Sequence, residues 1–457
     1  MMESLPKTPS STSATKAGRY RLAWWTLAFA LFCGGILRLV WIEDMEWKKD
    51  ERWSYRMSQE VGRTLPWPST GMPTSMSFPN PGLSVWIFVA IGRIATTPTS
   101  MARAVALLNI IGLLGFAWAV RAYIPARERE PWIWGLALQA VSPFCVRLSR
   151  KIWPPSILTP FLLLLWISHQ YRQVRWGAFT WGLVGALIGQ VHLSGWFVAA
   201  GLVVGTLVAE CTRRLPRSRY WHWWLFGTFL GLSIAVPWAR ALPSSTVAST
   251  AGPAGRTVTG RLLGCLYGLA ASASSALPFQ TLGLGHDSQE FQVGPHIGDF
   301  GTHVTELLGM FVVLAFVARI VARLIGAIVA PGLAWARRMI TQGVGGSGDG
   351  DKSPSATDKI PADSECALTR FYLWSTIALP GVIFMLAVDV YFYHYFFVLY
   401  PFLFVFGAMC MLPWRRALLG IVVAQALLSW AYLSYIHQKG GTNRGEYGVN
   451  YTRQVYR

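Results

Sequence analysis

The stretch "EWKKDERWSY" (residues 46–55) concentrates charge directly after the first long apolar segment of the chain. Its six charged residues are Glu46, Lys48, Lys49, Asp50, Glu51 and Arg52. A carboxylate such as Asp50 could take a proton from a hydroxyl or an amine as a general base, and cations beside it could stabilise a departing anion. Asp50 could do the first job, and Glu51 could orient Asp50 or join a metal site.

The composition predicts the environment in which this chemistry would occur. Of 457 residues, 53% are hydrophobic and only 13% are charged, and continuously apolar runs recur along the whole chain. Such runs predict membrane-spanning helices rather than the alternating strands of a barrel. The net charge of +19 falls mostly between these runs, where basic residues set orientation, so we expect a lipid bilayer and no nucleic acid as partner. The six cysteines lie singly and predict neither a disulfide framework nor a zinc site.

The element that positions Asp50 is predicted from the first span and the loop after it. A polar tail, residues 1–21, carries four basic residues and precedes the apolar run 24–41, which lacks a cleavage site. This pattern predicts an uncleaved helix with its N-terminus in the cytoplasm and the loop 43–80 outside. Trp53, Met57 and Val61 recur every four residues, which predicts a short surface helix. Asp50 and Glu51 would lie at its N-terminal end, where they could equally be ordinary dipole-stabilising charges.

Eleven further apolar segments predict an all-α polytopic membrane protein with about 11–13 transmembrane helices. They lie at roughly 83–98, 102–122, 132–146, 155–169, 177–191, 194–210, 222–239, 305–325, 370–388, 391–411 and 416–436. We expect a membrane module over 22–336 with outer loops 43–80 and 240–304, a flexible cytoplasmic linker over 337–366, C-terminal transmembrane helices over 367–436 and an extracytoplasmic tail over 437–457.

This count contains a conflict. A cytoplasmic start and an outer end require an odd number of spans, and twelve are counted. Either the pair at 177–210, broken by Gln190, His192 and Ser194, holds one span and a half-helix, or the segment 259–279 also crosses.

Several short motifs occur in an order that resembles glycosyltransferase family 39, the protein mannosyltransferase and aminoarabinose transferase type. These motifs are "LRLVW", "DE", "PNPGLSVW", "ARAVALLN", "VSPFCVRLSRKIWPPS", "GALIGQVHLSGW", "YHYFFVLYP" and "GEYGV". The resemblance implies a GT-C fold in the cell (inner) membrane with an extracytoplasmic active site. It implies transfer of a sugar from a polyprenyl-phosphate donor to an extracytoplasmic protein, lipid or glycan, with Asp50 as the base.

Eight residues in or near these motifs are candidate substrate-binding groups. They are Arg38, Lys49, Asn80, Arg150, Lys151, His192, His394 and Tyr395. Arginine would bind a phosphate bidentately and lysine as a point charge. Each also has a structural explanation: the cations could snorkel to headgroups, His192 could form an interhelical hydrogen bond, and His394 and Tyr395 could belong to an aromatic interfacial belt.

Cofactor and function each leave alternatives open. The sequence identifies no particular cofactor. A divalent metal is an option, with Glu51 and His394 as weak candidate ligands, and the loop residues His286, Asp287, His296 and Asp299 match no trusted ligand spacing. A transporter or flippase for lipid-linked sugars would predict charges deep in mid-chain helices and an internal repeat. An O-antigen ligase or polymerase-like enzyme would instead use the loop 240–304.

Overall fold

The computed structural model describes residues 11–73, 79–245, 367–382, 393–442 and 447–455. Within these ranges the protein is mostly helical, and its sheet is one short antiparallel pair, β1 (Thr70–Pro73) and β2 (Pro79–Pro81). Four described helices are long and apolar enough to cross a membrane, or five if a pair bent by 52° counts as one span. The all-α membrane class is therefore confirmed. The predicted segments 259–279 and 305–325 and the linker 337–366 lie outside the described residues.

The structure describes fifteen α-helices. They are α1 (Ser11–Leu39), α2 (Lys49–Glu60), α3 (Leu83–Gly92), α4 (Pro98–Tyr123), α5 (Arg129–Val141), α6 (Pro143–Leu148), α7 (Leu158–Gln170), α8 (Arg175–Val191), α9 (Ser194–Cys211), α10 (Trp221–Ser233), α11 (Val236–Ser245), α12 (Ala367–Leu373), α13 (Phe402–Met411), α14 (Arg415–Lys439) and α15 (Tyr451–Val455). A π-helical turn over Trp374–Ala378 follows α12, and a 3₁₀ helix over Tyr393–Leu399 precedes α13.

The bundle has two ends that hold different connections. The first-loop end holds the loop after α1, the segment 142–157 after α5 and the tail after α14. The opposite end, here called the arginine-rich end, holds the connections between α4 and α5, α7 and α8, and α9 and α10. Its arginines are Arg121, Arg127, Arg129, Arg172, Arg175, Arg213, Arg214, Arg217, Arg219, Arg370, Arg415 and Arg416.

The predicted loop helix is present as α2, but its apolar face is covered by protein. Trp53, Met57 and Val61 pack against Val85 and Val89 of α3. The four-residue spacing therefore predicted the helix and its buried face, while the partner is α3 rather than the bilayer surface. The contact joins two helices, so the spacing within α2 alone could not reveal it.

Helix α3 is too short to be the span predicted over 83–98. Its ten residues are about 15 Å long, half of a hydrocarbon core of about 30 Å. The chain just after it returns to α2, where Tyr55 Oη donates to the carbonyl of Thr96 at 2.7 Å. The predicted span 83–98 therefore does not cross. One of the twelve predicted spans is thus a short helix on the first-loop side.

The buried segment 142–157 joins two short helices at the first-loop end. Helices α5 and α7 have 13 residues each, about 20 Å, so neither reaches across a bilayer alone. The segment between them holds the short helix α6, an irregular stretch and a 3₁₀ helix over Pro154–Ile157, and all of it except Trp153 is buried. Irregular backbone near the membrane is tolerated where protein covers it. This segment brings Arg147, Arg150 and Lys151 into the interior.

Candidate functional site at the first-loop end

An ion network joins the first loop to the segment 142–157. The carboxylate of Glu46 lies 3.1 Å from Arg147 Nη2, 3.1 Å from Lys151 Nζ and 2.5 Å from Lys48 Nζ. Lys151 Nζ also lies 3.0 Å from Oε1 of Glu51. Glu46, Glu51, Arg147 and Lys151 are all buried. Lys151 therefore bridges two carboxylates, and this network is the largest buried group of paired charges in the described part of the chain.

Glu46 and Lys151 stay charged at neutral pH. Burial alone raises the pKa of the Glu46 carboxyl, but Arg147, Lys151 and Lys48 together lower it to about 2. Burial lowers the pKa of the Lys151 ammonium, but Glu46 and Glu51 raise it overall. Three cations face two carboxylates, so the network has one net positive charge. Excess positive charge favours binding of an anion such as a phosphate.

The first turn of α2 holds Glu51 and presents Asp50. The main-chain N–H of Lys48 donates to Glu51 Oε2 at 3.0 Å, as in the acidic half of a capping box. Glu51 is thus held by Lys48 and Lys151, whereas Asp50 and Lys49 are exposed. Within the described residues no ion pair or hydrogen bond involves the Asp50 side chain. Its carboxylate lies at the N-terminus of α2.

The arginines predicted to bind substrate both bind main-chain carbonyls. Arg150 donates from Nη1 to Leu37 O at 3.0 Å and Val40 O at 2.8 Å, and from Nη2 to Trp41 O. It therefore neutralises the C-terminal end of α1, where carbonyls lack helical partners. Arg38 donates to the carbonyls of Gly34 and Ala140 and so joins α1 to α5. The Nε of each arginine is buried and has no hydrogen-bond partner among the described residues.

The other predicted substrate-binding residues form two smaller groups. Asn80 lies in β2 and donates to the carbonyl of Met72 in β1 at 3.2 Å, which holds the hairpin together. His192 lies at the predicted break between α8 and α9, and its Nδ1 is 2.6 Å from Ser194 Oγ. Its ring is 6.4 Å from that of Tyr395. His394 lies in the adjoining 3₁₀ helix, and its side chain is outside the described part.

The metal option finds no support in the described ranges. No group of three or more His, Cys, Asp or Glu side chains there could hold a metal ion. Glu51 is already bound by Lys151 and by a main-chain N–H. His286, Asp287, His296 and Asp299 lie outside the described residues.

Sequence reasoning did not foresee how the C-terminal tail completes this site. Asp44, buried in the first loop, accepts from Asn450 Nδ2 at 2.7 Å and is 2.5 Å from Nδ1 of His437. The Tyr447 hydroxyl donates to the Asp44 carbonyl, and Tyr451 packs edge-on against the Trp47 ring at 5.1 Å. The motif "GEYGV" was the available signal, but no local pattern indicates a contact across some 400 residues. The loop and tail lie at the same end, as the predicted orientation requires.

An apolar cavity of about 440 Å³ lies between α8, α9 and α10. Trp181, Trp196 and Trp224 line it together with small and aliphatic residues and Thr228. At the first-loop end Trp196 packs 5.8 Å from Trp238, whose Nε1 donates to the carbonyl of Pro79 beside Asn80. Aromatic packing thus leads from the cavity to the hairpin of the first loop.

Fold and site together define a helical membrane protein with a buried ion network and an exposed carboxylate at one end of its bundle. Compared with known proteins, the chain matches no family model, no curated protein and no solved structure.

Proposed function

We propose that this chain is a membrane glycosyltransferase that moves a sugar from a polyprenyl-phosphate donor to an acceptor outside the cytoplasm, with Asp50 as general base. The main support is that two adjacent carboxylates in one helical turn differ in burial and in pairing. Glu51 is buried and held by Lys151, while its neighbour Asp50 is exposed and unpaired in the described part of the chain. A general base needs a fixed backbone and an accessible lone pair, and this turn supplies both.

The reaction can be written with these groups. The acceptor hydroxyl or amine attacks the anomeric carbon as Asp50 removes its proton, and the bond from that carbon to the phosphate oxygen breaks. The polyprenyl phosphate leaves with the electron pair. The net positive charge of the Glu46 network, and the exposed Lys49 and Arg52 beside Asp50, would stabilise that leaving group. Arg38 and Arg150 would hold α1 in place through their hydrogen bonds to main-chain carbonyls, rather than bind the substrate.

Two further observations favour a lipid-linked donor handled by an enzyme. The cavity between α8, α9 and α10 suits a hydrocarbon chain, and its aromatic border continues to the first loop. No Asp, Glu, Lys or Arg occurs between residues 176 and 209, although a flippase would be expected to carry charges there. The ligase alternative depends on the loop 240–304, which lies almost wholly outside the described residues.

The test is sugar transfer from a panel of radiolabelled polyprenyl-phosphate sugars, in membranes expressing wild type, Asp50→Asn or Glu60→Gln. Asp50→Asn keeps the side-chain size and removes the base, so we expect transfer to fall by roughly 10²–10⁴-fold. Glu60→Gln changes a carboxylate at the other end of α2, paired with exposed Arg56, and we expect it to retain transfer. Equal transfer by wild type and Asp50→Asn would refute the assignment of the base. Wild-type membranes that transfer no sugar from any donor would contradict the donor class.

Thermal unfolding of the same purified proteins separates loss of chemistry from loss of fold. Asp50 is exposed, so Asp50→Asn is expected to cost only about 0.3–1 kcal/mol of helix-dipole stabilisation. An Asp50→Asn protein that melts far below wild type would mean that this carboxylate has a structural role.

A further inference from the structure

The connection between α9 and α10 carries an exposed cluster of cations. Residues 212–220 are here called the arginine loop, and its arginines are Arg213, Arg214, Arg217 and Arg219. All four are exposed, and no ion pair with any of them occurs within the described ranges. The loop lies at the arginine-rich end, opposite the Glu46 network.

The arginine loop is held in one conformation by its own polar contacts. Glu210, at the end of α9, accepts from Ser218 N through Oε1 and from Trp221 Nε1 through Oε2, both at 3.0 Å. Ser218 is buried, and its hydroxyl donates to the carbonyl of Arg172 at 3.1 Å. The nearest carboxylate is therefore occupied by neutral donors of the loop rather than by the arginines. A fixed scaffold loses little conformational freedom when it binds a ligand.

Arg213 occupies a backbone position that glycine normally fills. Its φ is 56°, just past the C-terminus of α9, and the next residue, Arg214, donates its N–H to the carbonyl of Ala209 at 2.8 Å. Helices ending in this left-handed conformation usually place glycine there, because a side chain is disfavoured. Arginine at this position is locally unfavourable for the fold, and strain of this kind is typical of functional sites.

The surroundings place the arginine loop at a lipid–water boundary. Just before it, Val208 of α9 is 56% exposed, and just after it, Leu225 and Phe226 of α10 are 59% and 53% exposed. Such apolar exposure is expected of a surface that faces acyl chains. Trp176, 59% exposed, lies in the first turn of the adjacent helix α8, and tryptophan is enriched at the level of lipid headgroups.

We propose that the arginine loop is a binding site for anionic phospholipid headgroups of the leaflet at this end of the bundle. Guanidinium groups bind phosphate oxygens bidentately, and a group of four on a rigid loop presents them together. Charges that only set membrane orientation require neither the rigid scaffold nor an arginine at a left-handed position. The inference does not depend on the proposed enzymatic function.

The experiment uses the full chain in lipid nanodiscs that contain phosphatidylcholine and phosphatidylglycerol at a ratio of seven to three. Lipids retained after mild detergent extraction are identified by native mass spectrometry. We expect wild type to retain several-fold more phosphatidylglycerol than the bulk ratio predicts, and Arg214→Gln/Arg217→Gln to lose most of that excess. The matched control is Arg63→Gln/Arg103→Gln, which removes two exposed arginines near the first-loop end. Equal retention by wild type and the Arg214/Arg217 variant, or equal loss in the control, would overturn the proposal.

Arg213→Gly supplies a readout that a merely structural role would not produce. Glycine fits φ 56° without strain, so this variant is expected to melt at a higher temperature than wild type while retaining less phosphatidylglycerol. A higher melting temperature with unchanged phosphatidylglycerol would show that Arg213 does not bind the headgroups. Folding is preserved or improved in this variant, so lost lipid binding could not be attributed to unfolding.

Discussion

Replacing Glu46 with glutamine should destabilise the protein far more than an ordinary loss of surface charge. The substitution keeps the shape of the side chain but leaves buried Arg147 and Lys151 without their shared partner. Breaking a buried ion pair by removing one partner costs about 3–5 kcal/mol. The lowered pKa of Glu46 gives a similar figure, since a change from 4.5 to about 2 corresponds to about 3 kcal/mol.

The assay is thermal unfolding of the detergent-purified chain, followed by its intrinsic tryptophan fluorescence. We expect Glu46→Gln to lower the melting temperature by several degrees. The control is Glu60→Gln, the same substitution in an exposed i,i+4 pair with Arg56, where about 0.3–0.5 kcal/mol is at stake. If the two variants melt within a degree of each other, the Glu46 network does not stabilise the first-loop end.

The pH dependence supplies a second check on the same reasoning. Folding lowers the pKa of the Glu46 carboxyl, so its contribution is fully present above pH 4.5 and is lost as the pH falls toward 2. Wild type should therefore lose stability relative to Glu46→Gln over this interval. Melting curves of the two proteins that stay parallel from pH 5 to pH 2.5 would refute the sign of this argument.

Two further predictions concern helix packing and the tail. A Cβ on Gly34 would lie 2.3 Å from the carbonyl oxygen of Ala140, whereas one on Gly35 would meet nothing within 4 Å, so Gly34→Ala should lower the melting temperature and Gly35→Ala should leave it unchanged or raise it. Similar melting of these two variants would contradict the close approach of α1 to α5. Asn450→Asp would place a second carboxylate 2.7 Å from Asp44 Oδ1, so its destabilisation should be larger at pH 8 than at pH 5, where protonation relieves the repulsion. A pH-independent loss would show that the tail does not meet Asp44 as described.

Residue spacing and hydropathy within short segments predicted one helix and one helix boundary correctly. The spacing of Trp53, Met57 and Val61 located α2, and the polar interruption around His192 marked the boundary between α8 and α9. The prediction that 83–98 is a span is wrong. Hydropathy reports the preference of a segment for apolar surroundings and does not distinguish lipid from the protein interior. Only the return of Thr96 to Tyr55 shows that α3 is covered by α2 rather than crossing the bilayer.

Among the site residues, sequence identified the candidates but not their partners. It singled out Asp50 and Glu51 together, and the structure separates them, with one exposed and one bound to Lys151. Arg38 and Arg150 were interpreted as phosphate ligands or snorkelling side chains, and the structure places both on main-chain carbonyls. Glu46, the centre of the network, belonged to the charged stretch but had no distinguishing local feature.

The sequence alone determined that this is a helical membrane protein with its charge concentrated between apolar segments, because hydrophobicity and charge act through composition and short-range spacing. The tertiary structure decided which charges are paired, since pairing of Glu46 with Arg147, or of Asp44 with Asn450, depends on segments about 100 and 400 residues apart. It also decided that Asp50 is accessible to a ligand while Glu51 is not. Burial and pairing set the energy of a charge, and both depend on neighbours that only the folded chain supplies.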